Sequence, residues 1–198
     1  MGRHSKAKGA AFERLMAKQF SLWWTGNARD DVFWRTPLSG GRATRRSSSG
    51  RQTSGGYGDL HSTHDKADVF CRMCTIEMKT GYPGLNLLTL LVRNDRADIW
   101  QKWMAKLKKE AKQAGTSYWI LVVRMFHKGV TVIFPLSMFA HLKHYGAFSD
   151  SKGRHPDCLI LKKKDRSADL VVMSLSVFFE SVHRKHVRSV VGRMAVRK

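Results

Sequence analysis

The chain has 198 residues, of which 42% are hydrophobic, enough for one domain with a buried core. Thirty-six Lys and Arg against fifteen Asp and Glu give a formal charge of +21 at pH 7. Such an excess predicts a polyanionic partner, for which nucleic acid is favoured over an anionic membrane surface. No apolar run approaches the ~18 residues of a spanning helix, so we expect no membrane insertion. Three Cys, an odd number, predict a reducing cytoplasmic compartment.

The first half of the chain begins with an amphipathic helix predicted over residues 7–24, which Gly26 ends. A short strand is predicted over 32–35. Residues 39–58 are rich in Gly, Ser and Arg, which predicts a basic loop rather than a packed element. We expect phosphate contacts from four arginines of this loop: Arg42, Arg45, Arg46 and Arg51. A solvated linker with incidental charge is the alternative interpretation of the same residues.

Two strands are predicted next, over 59–63 and 69–79, joined by a polar turn. A second amphipathic helix is predicted over 95–114; its polar side carries several lysines, among them Lys102 and Lys106, which we expect to contact nucleic acid. An apolar strand over 118–126 and its hairpin partner over 130–134 follow. This order of helices and strands indicates an α/β fold.

One predicted strand carries a charged pair that suggests chemistry. Glu77 and Lys79 stand two residues apart and therefore share one face, while Ile76 and Met78 point to the other face and the core. A carboxylate can hold a divalent cation, and an adjacent ammonium can orient a water. Asp59 lies 18 residues before Glu77, the spacing of a hairpin that would bring both carboxylates to one strand end.

Two alternatives to this site remain open from the sequence. Asp68 competes with Asp59, although its nine-residue separation from Glu77 is short for two strands and a turn. Glu77 and Lys79 also fit a surface ion pair on an edge strand, worth under ~1 kcal/mol and without function.

A zinc site is a separate alternative for the neighbouring residues. His61, His64, Cys71 and Cys74 are four potential zinc ligands in two closely spaced pairs. If residues 69–79 form one strand, however, the two cysteines point to opposite faces. Inert buried thiols and solvent-facing imidazoles are then the simpler interpretation.

Several short motifs, taken in order, resemble those of the PD-(D/E)xK nuclease superfamily, in particular its Holliday-junction-resolvase-like and phage endonuclease branch. The resemblance covers roughly residues 8–134. The motifs are Gly9-Ala10-Ala11-Phe12-Glu13-Arg14, Arg35-Thr36-Pro37-Leu38-Ser39-Gly40-Gly41, Gly58-Asp59-Leu60, Ile76-Glu77-Met78-Lys79 and a Trp-rich helix before an apolar strand. The chain departs from the family pattern where Gly58, rather than Pro, precedes the acid, and this departure keeps Asp68 in competition.

The resemblance implies a restriction-endonuclease-like core, a mixed central sheet flanked by helices, over residues 1–134. We expect residues 135–182 to form a basic α+β extension of the same domain, and residues 183–198 a basic tail. The resemblance further implies that Asp59 and Glu77 bind Mg²⁺ or Mn²⁺, that Lys79 positions the attacking water, and that Glu13 reaches the site from the first helix.

The predicted function is that of a metal-dependent endonuclease that hydrolyses phosphodiester bonds in DNA. By resemblance, we expect a homodimer that acts on branched duplexes such as Holliday junctions, in the host cytoplasm if the chain is phage-encoded. A noncatalytic DNA- or RNA-binding or packaging protein, which uses the same basic surface, is the alternative function.

Overall fold

The structure is a computed structural model that describes residues 3–36, 57–85, 87, 97–125, 129–149, 156–162 and 169–187. The four arginines predicted to contact phosphate, Arg42, Arg45, Arg46 and Arg51, lie outside the described residues. So do residues 188–198, most of the predicted basic tail.

Twelve helices and strands are described, and we number them in chain order. They are α1 (Arg3–Thr25), β1 (Phe33–Arg35), β2 (Leu60–Ser62), α2 (Asp65–Met73), β3 (Cys74–Lys79), α3 (Ala97–Ala114), β4 (Tyr118–Arg124), β5 (Val130–Pro135), α4 (Leu136–His144), β6 (Leu159–Leu161), β7 (Leu170–Ser174) and α5 (Leu175–Ser181).

Five of the strands form one mixed sheet in the order β3-β4-β5-β7-β6. β3 runs parallel to β4, and the other three pairs are antiparallel. β1 and β2 pair with each other in a separate antiparallel ribbon. β3 therefore stands at one edge of the five-stranded sheet, with α3 as its crossover connection to β4.

The two faces of the sheet are buried in two separate hydrophobic clusters. One face packs on α1, α2, α4 and α5, and takes Ile76 and Met78 from β3. The opposite face packs on α3, and takes Leu121 and Val123 from β4. Because both faces are covered, β4 reads as a nearly continuous apolar run, as expected for a strand buried on both sides.

The predicted fold class, α/β with a mixed central sheet flanked by helices, is confirmed. The two long helices, the short strand at 33–35 and the β4–β5 hairpin lie where the sequence patterns predicted them. β7 pairs with β5, so that residues beyond 134 add two strands to the same sheet. No helix in the described ranges is both long and apolar enough to cross a membrane.

The predicted strand over residues 69–79 is wrong in its first half, because residues 65–73 form the helix α2. His64 caps its start by accepting a hydrogen bond from the Lys66 backbone. Two acidic residues lie in the first turn and one arginine in the last, which favours a helix through its dipole. Ala67, Phe70 and Met73, three residues apart, are all buried. That spacing outweighs the strand propensity of Val69 and Phe70.

The tryptophans pack in the core, as expected, with one exception among the six. Five are buried: Trp23, Trp24, Trp100, Trp103 and Trp119. The side chain of Trp34 on β1 is 50% exposed. Phe70 of α2 packs among two of these tryptophans and two phenylalanines. Its ring centroid lies 5.4 to 6.0 Å from those of Phe20, Trp23, Trp24 and Phe33.

Replacing Phe70 by Ala should therefore lower the free energy of unfolding by about 3–5 kcal/mol, because it leaves a cavity in the aromatic cluster. Urea unfolding followed by circular dichroism would measure the change. Arg72→Ala, on the exposed side of the same helix, is the matched control and should change stability by less than about 1 kcal/mol. Equal effects of the two substitutions would contradict the placement of α2.

Candidate active site

The charged pair on β3 lies on the face that packs against α3. Glu77 is 1% exposed, and its register partner on β4 is Leu121, within the cluster that α3 covers. Lys79 follows two residues later on the same face, and its ammonium donates to Glu77 Oε1. The predicted alternation of the strand is therefore confirmed. The interpretation as a surface ion pair is wrong, since the carboxylate is buried.

A second ammonium reaches the same carboxylate oxygen from α3. Lys106 Nζ donates to Glu77 Oε1 at 2.7 Å. Burial by itself would raise the pKa of Glu77, but the charges and hydrogen bonds of Lys79 and Lys106 outweigh burial and hold that pKa below its ordinary value. The two ammonium groups therefore favour the ionised form of Glu77.

Glu110, one helical turn after Lys106, adds a second carboxyl group. Its Oε1 lies 3.4 Å from Lys106 Nζ, and the residue is 6% exposed. Burial first, and then the negative charge of Glu77, raise the pKa of Glu110, while Lys106 opposes this rise. Glu110 Oε2 is buried and has no hydrogen-bond partner among the described residues.

Asp59 is held at the free edge of β3 by its own backbone and side chain. Its N–H donates to the carbonyl of Ile76 at 2.7 Å, and its Oδ2 accepts from the N–H of Met78 at 2.7 Å. The residue is buried. Burial lowers the pKa of Lys106, but the charges of Glu77, Glu110 and Asp59, in that order, raise it above its ordinary value. Asp59 and Glu77 thus lie beside each other along β3, although β2 pairs with β1 and not, as predicted, with β3.

Gly58 permits this close approach to β3. Its φ is +73°, a left-handed conformation that favours glycine. A Cβ at this position would lie 2.6 Å from the carbonyl oxygen of Ile76 and 2.9 Å from Thr75 Cγ2. Glycine before the acid, which departs from the usual pattern of the superfamily, is therefore required by the way this segment packs on the strand.

The competing acid, Asp68, lies in a different place. It is on α2, where its carboxylate accepts from Ser62 Oγ at 3.0 Å and pairs with Arg72 at 3.0 Å. The side chain is half exposed and on a helix that packs against the opposite face of the sheet from α3. The described contacts of Asp68 therefore do not bring it to Glu77.

Glu13 makes its ion pair with β1. Its Oε2 accepts from Arg35 Nε at 2.9 Å, and both side chains are largely buried. Arg35 stands opposite Leu60, the residue after Asp59, so this pair fixes α1 to the ribbon that carries Asp59. No contact between Glu13 and Glu77 is described, and the role of Glu13 in catalysis stays a prediction.

The geometry of a zinc site is not found around the two cysteines. His64 caps α2, and Cys74 is buried with its thiol near the carbonyl of Phe70. Burial raises the pKa of the Cys71 thiol to about 12 and raises that of Cys74 well above its ordinary value, as expected for inert thiols. Within the described ranges, no group of three or more His, Cys, Asp and Glu is placed to hold a metal ion.

The sequence patterns missed the contribution of α3. Helical spacing predicts Lys106 on the solvent side with Lys102; both are exposed, but the Lys106 ammonium also bonds to Glu77. The sequence patterns give no role to Glu110. One signal was present: Glu110 follows Leu107 by three residues and precedes Ala111, so a carboxylate borders the apolar stripe of the helix.

Comparison with known families agrees with this geometry. A family model described as phage putative PDDEXK endonuclease matches residues 4–189. The chain belongs to this endonuclease family. The match extends beyond residue 134, where the resemblance of the sequence motifs ended, and includes β6, β7 and α5. No match was found among curated proteins or among solved structures. Membership indicates a nuclease with DNA as its substrate.

PD-(D/E)xK nucleases generally use divalent metal ions, and the carboxylates of this endonuclease fit such an ion. The metal-ligand geometry of three or more side chains is not found in the described ranges, which argues against an all-protein cage. In proteins generally, Mg²⁺ is held by one or two carboxylates and completes its shell with water and substrate phosphate. Asp59 and Glu77 supply two carboxylates, and the unpartnered Oε2 of Glu110 is a further buried oxygen acceptor near them.

The packing of Gly58 generates a stability prediction for the endonuclease. Gly58→Ala should lower the free energy of unfolding by several kcal/mol, because its Cβ would overlap the β3 backbone in addition to the strain of the positive φ. Gly115→Ala is the matched control, since φ is +70° there and no described atom lies within 4 Å of its Cβ. That change should cost only about 1–2 kcal/mol. Urea unfolding measures both, and a similar loss for the two variants would contradict the described contact.

Proposed function

We propose that the protein is a Mg²⁺- or Mn²⁺-dependent endodeoxyribonuclease in which Asp59 and Glu77 bind the metal ion and Lys79 orients the attacking water. The observation that supports this most strongly is the buried carboxylate of Glu77, with two ammonium groups on one oxygen, beside Asp59 at the edge of β3. This arrangement brings the residue types of the family motif together in one site.

Stability alone does not explain a charged cluster at this place. Removal of a carboxylate and its partners from water carries a desolvation cost that often exceeds the gain from the ion pairs. Among the residues that the structure describes, the cluster holds three carboxyl groups, those of Asp59, Glu77 and Glu110, and two ammonium groups, those of Lys79 and Lys106. In a chain of charge +21, a buried site with an excess of acidic groups supports cation binding.

Each residue then has a distinct part in hydrolysis. The carboxylates of Asp59 and Glu77 would hold the metal ion, which when bound would polarise the scissile phosphate and make a bound water more acidic. Lys79, already directed to this position by β3, donates to the attacking water and stabilises the negative charge that develops on the phosphate. The hydrogen bond from Met78 keeps Asp59 in place during the reaction.

DNA binding would use the exposed basic residues near this site. Lys102, Lys109 and Lys112 are exposed on α3, the helix that also carries Lys106 and Glu110. Arg42, Arg45, Arg46 and Arg51 remain proposed phosphate contacts of the preceding loop. Since such contacts neutralise phosphates without reading bases, binding would be largely independent of sequence.

For the substrate, we propose branched or otherwise structured duplex DNA, of which a Holliday junction is the model, and a homodimer acting in the cytoplasm. Support comes from the resemblance to the resolvase-like branch and from geometry, because symmetric cutting of two strands requires two sites. Incubation with four-way junction and matched linear duplex, with Mg²⁺ or EDTA, compares these substrates directly. Analytical ultracentrifugation of the free protein and the junction complex tests the dimer.

Glu77→Gln should reduce Mg²⁺-dependent cleavage by about 10²-fold or more, because it removes a metal ligand while keeping the shape of the side chain. DNA affinity should stay equal or increase, since one negative charge near phosphate is lost. Gel assays of cleavage and of binding in Ca²⁺ would measure the two effects separately. Undiminished cleavage by a folded variant would remove Glu77 from the metal site, whereas absence of cleavage by the parental protein would favour the noncatalytic binding protein.

Asp59→Asn and Asp68→Asn form a matched pair of the same chemical change at two acids. The Asp59 variant should lose cleavage to a similar extent as Glu77→Gln, whereas the Asp68 variant should retain the parental rate, because Asp68 pairs with Arg72 on α2. Single-turnover cleavage with saturating Mg²⁺ distinguishes them. The reverse ranking would move the metal site to Asp68.

Binding should weaken steeply with salt, with log affinity falling by about 0.9 per log unit of salt for each neutralised phosphate. Lys102→Ala should reduce this slope by about one such contact. Lys66→Ala, on α2 at the opposite face of the sheet, is the control and should leave the slope unchanged. Fluorescence anisotropy across a salt series measures both, and a slope near zero in the parental protein would exclude a phosphate-dominated interface.

A further inference from the structure

Lys106 stands between two carboxyl groups. Its ammonium donates to Glu77 Oε1 at 2.7 Å and lies 3.4 Å from Glu110 Oε1. Glu77 and Glu110 are both buried, whereas the Lys106 side chain is 47% exposed along its length. The ammonium is thus shared unequally, with the shorter contact to Glu77.

Glu110 has capacity for another donor. Its Oε2 is buried and without a hydrogen-bond partner in the part of the chain that the structure describes. An ionised carboxylate that lacks donors in a buried position is unfavourable, and a closer ammonium would relieve this. The i,i+4 spacing on α3 already places Lys106 within reach of Glu110.

Glu77, in contrast, already has two positively charged partners on one oxygen, and a bound metal ion would compete with both of them. Both Lys79 and Lys106 direct their ammonium groups to Oε1. A divalent cation at this carboxylate would repel both ammonium groups at short range. The Lys79 side chain is 18% exposed and the Lys106 side chain 47% exposed, so Lys106 has more room to move, and it has a second carboxylate, Glu110, 3.4 Å away.

We propose that Lys106 is a displaceable counter-cation, which neutralises Glu77 in the metal-free protein and moves onto Glu110 when a divalent cation binds. This inference rests on the proposed function, in which Glu77 is a metal ligand. Lys106 and Glu110 are then positioning residues. Together they keep the buried carboxylate charged and ordered before the metal arrives, and accept the displaced charge afterwards.

The test measures Mn²⁺ affinity by titration calorimetry, without DNA and without turnover, in a double-mutant cycle of Lys106→Met and Glu110→Gln. Glu110→Gln should raise the Mn²⁺ dissociation constant on the order of tenfold, because Lys106 loses its second carboxylate. Lys106→Met should lower it, since no ammonium needs to be displaced. In the Lys106→Met background, Glu110→Gln should change the constant by less than about twofold.

Lys102→Met is the matched control, because it removes the same charge one turn earlier on α3 at an exposed position. It should leave the Glu110→Gln effect intact. Thermal unfolding checks that each variant is folded, and Lys106→Gln, whose amide can still donate to Glu110, replaces Lys106→Met if that variant does not fold.

The outcomes separate this inference from the proposed function. An equal effect of Glu110→Gln with and without Lys106 would make Glu110 a direct metal ligand and overturn the displacement. No effect of Glu110→Gln in the parental background would overturn it as well. Absence of Mn²⁺ binding by the parental protein, together with full cleavage by Glu77→Gln, would instead overturn the proposed metal site itself.

Discussion

The burial of the Glu77 carboxylate is the constraint on which the site depends. A charge in the interior must be compensated by partners that are already in place, since water cannot rearrange around it. Here, Lys79 comes from the same strand and Lys106 from the helix that covers it. The position of α3 on β3 is therefore decided by electrostatics as well as by apolar packing, and each depends on the other.

The edge of β3 is a second point at which structure and chemistry coincide. An edge strand exposes backbone groups that need hydrogen-bond partners. Asp59 supplies an acceptor and a donor: its carboxylate accepts from the Met78 N–H, and its own N–H donates to the Ile76 carbonyl. Gly58 lets the chain come close enough to β3 for these bonds. The same contacts that complete the strand edge fix the acid beside Glu77. A change that moves this segment away from β3 would therefore also move the acid away from Glu77.

Positive charge dominates the chain as a whole, whereas the acidic groups of the candidate site are buried. The chain as a whole is strongly basic, which favours association with DNA over long range. The acidic groups near Glu77 are buried, and lysines lie between them and at the surface of α3. This arrangement lets the surface attract phosphate without exposing the carboxylates that would repel it.

Local sequence patterns were sufficient to predict part of the fold and part of the site. Strand alternation alone determined that Glu77 and Lys79 share a face, helical spacing determined α1 and α3, and the order of elements determined the α/β class. These patterns failed at α2, because Val69 and Phe70 suit either a strand or a helix and the buried aromatic cluster decides between them. The roles of Lys106 and Glu110 depend on how α3 is rotated against the sheet. Only tertiary packing decides that rotation. A charged residue beside an apolar stripe gives the same sequence pattern whether its side chain faces water or a buried carboxylate.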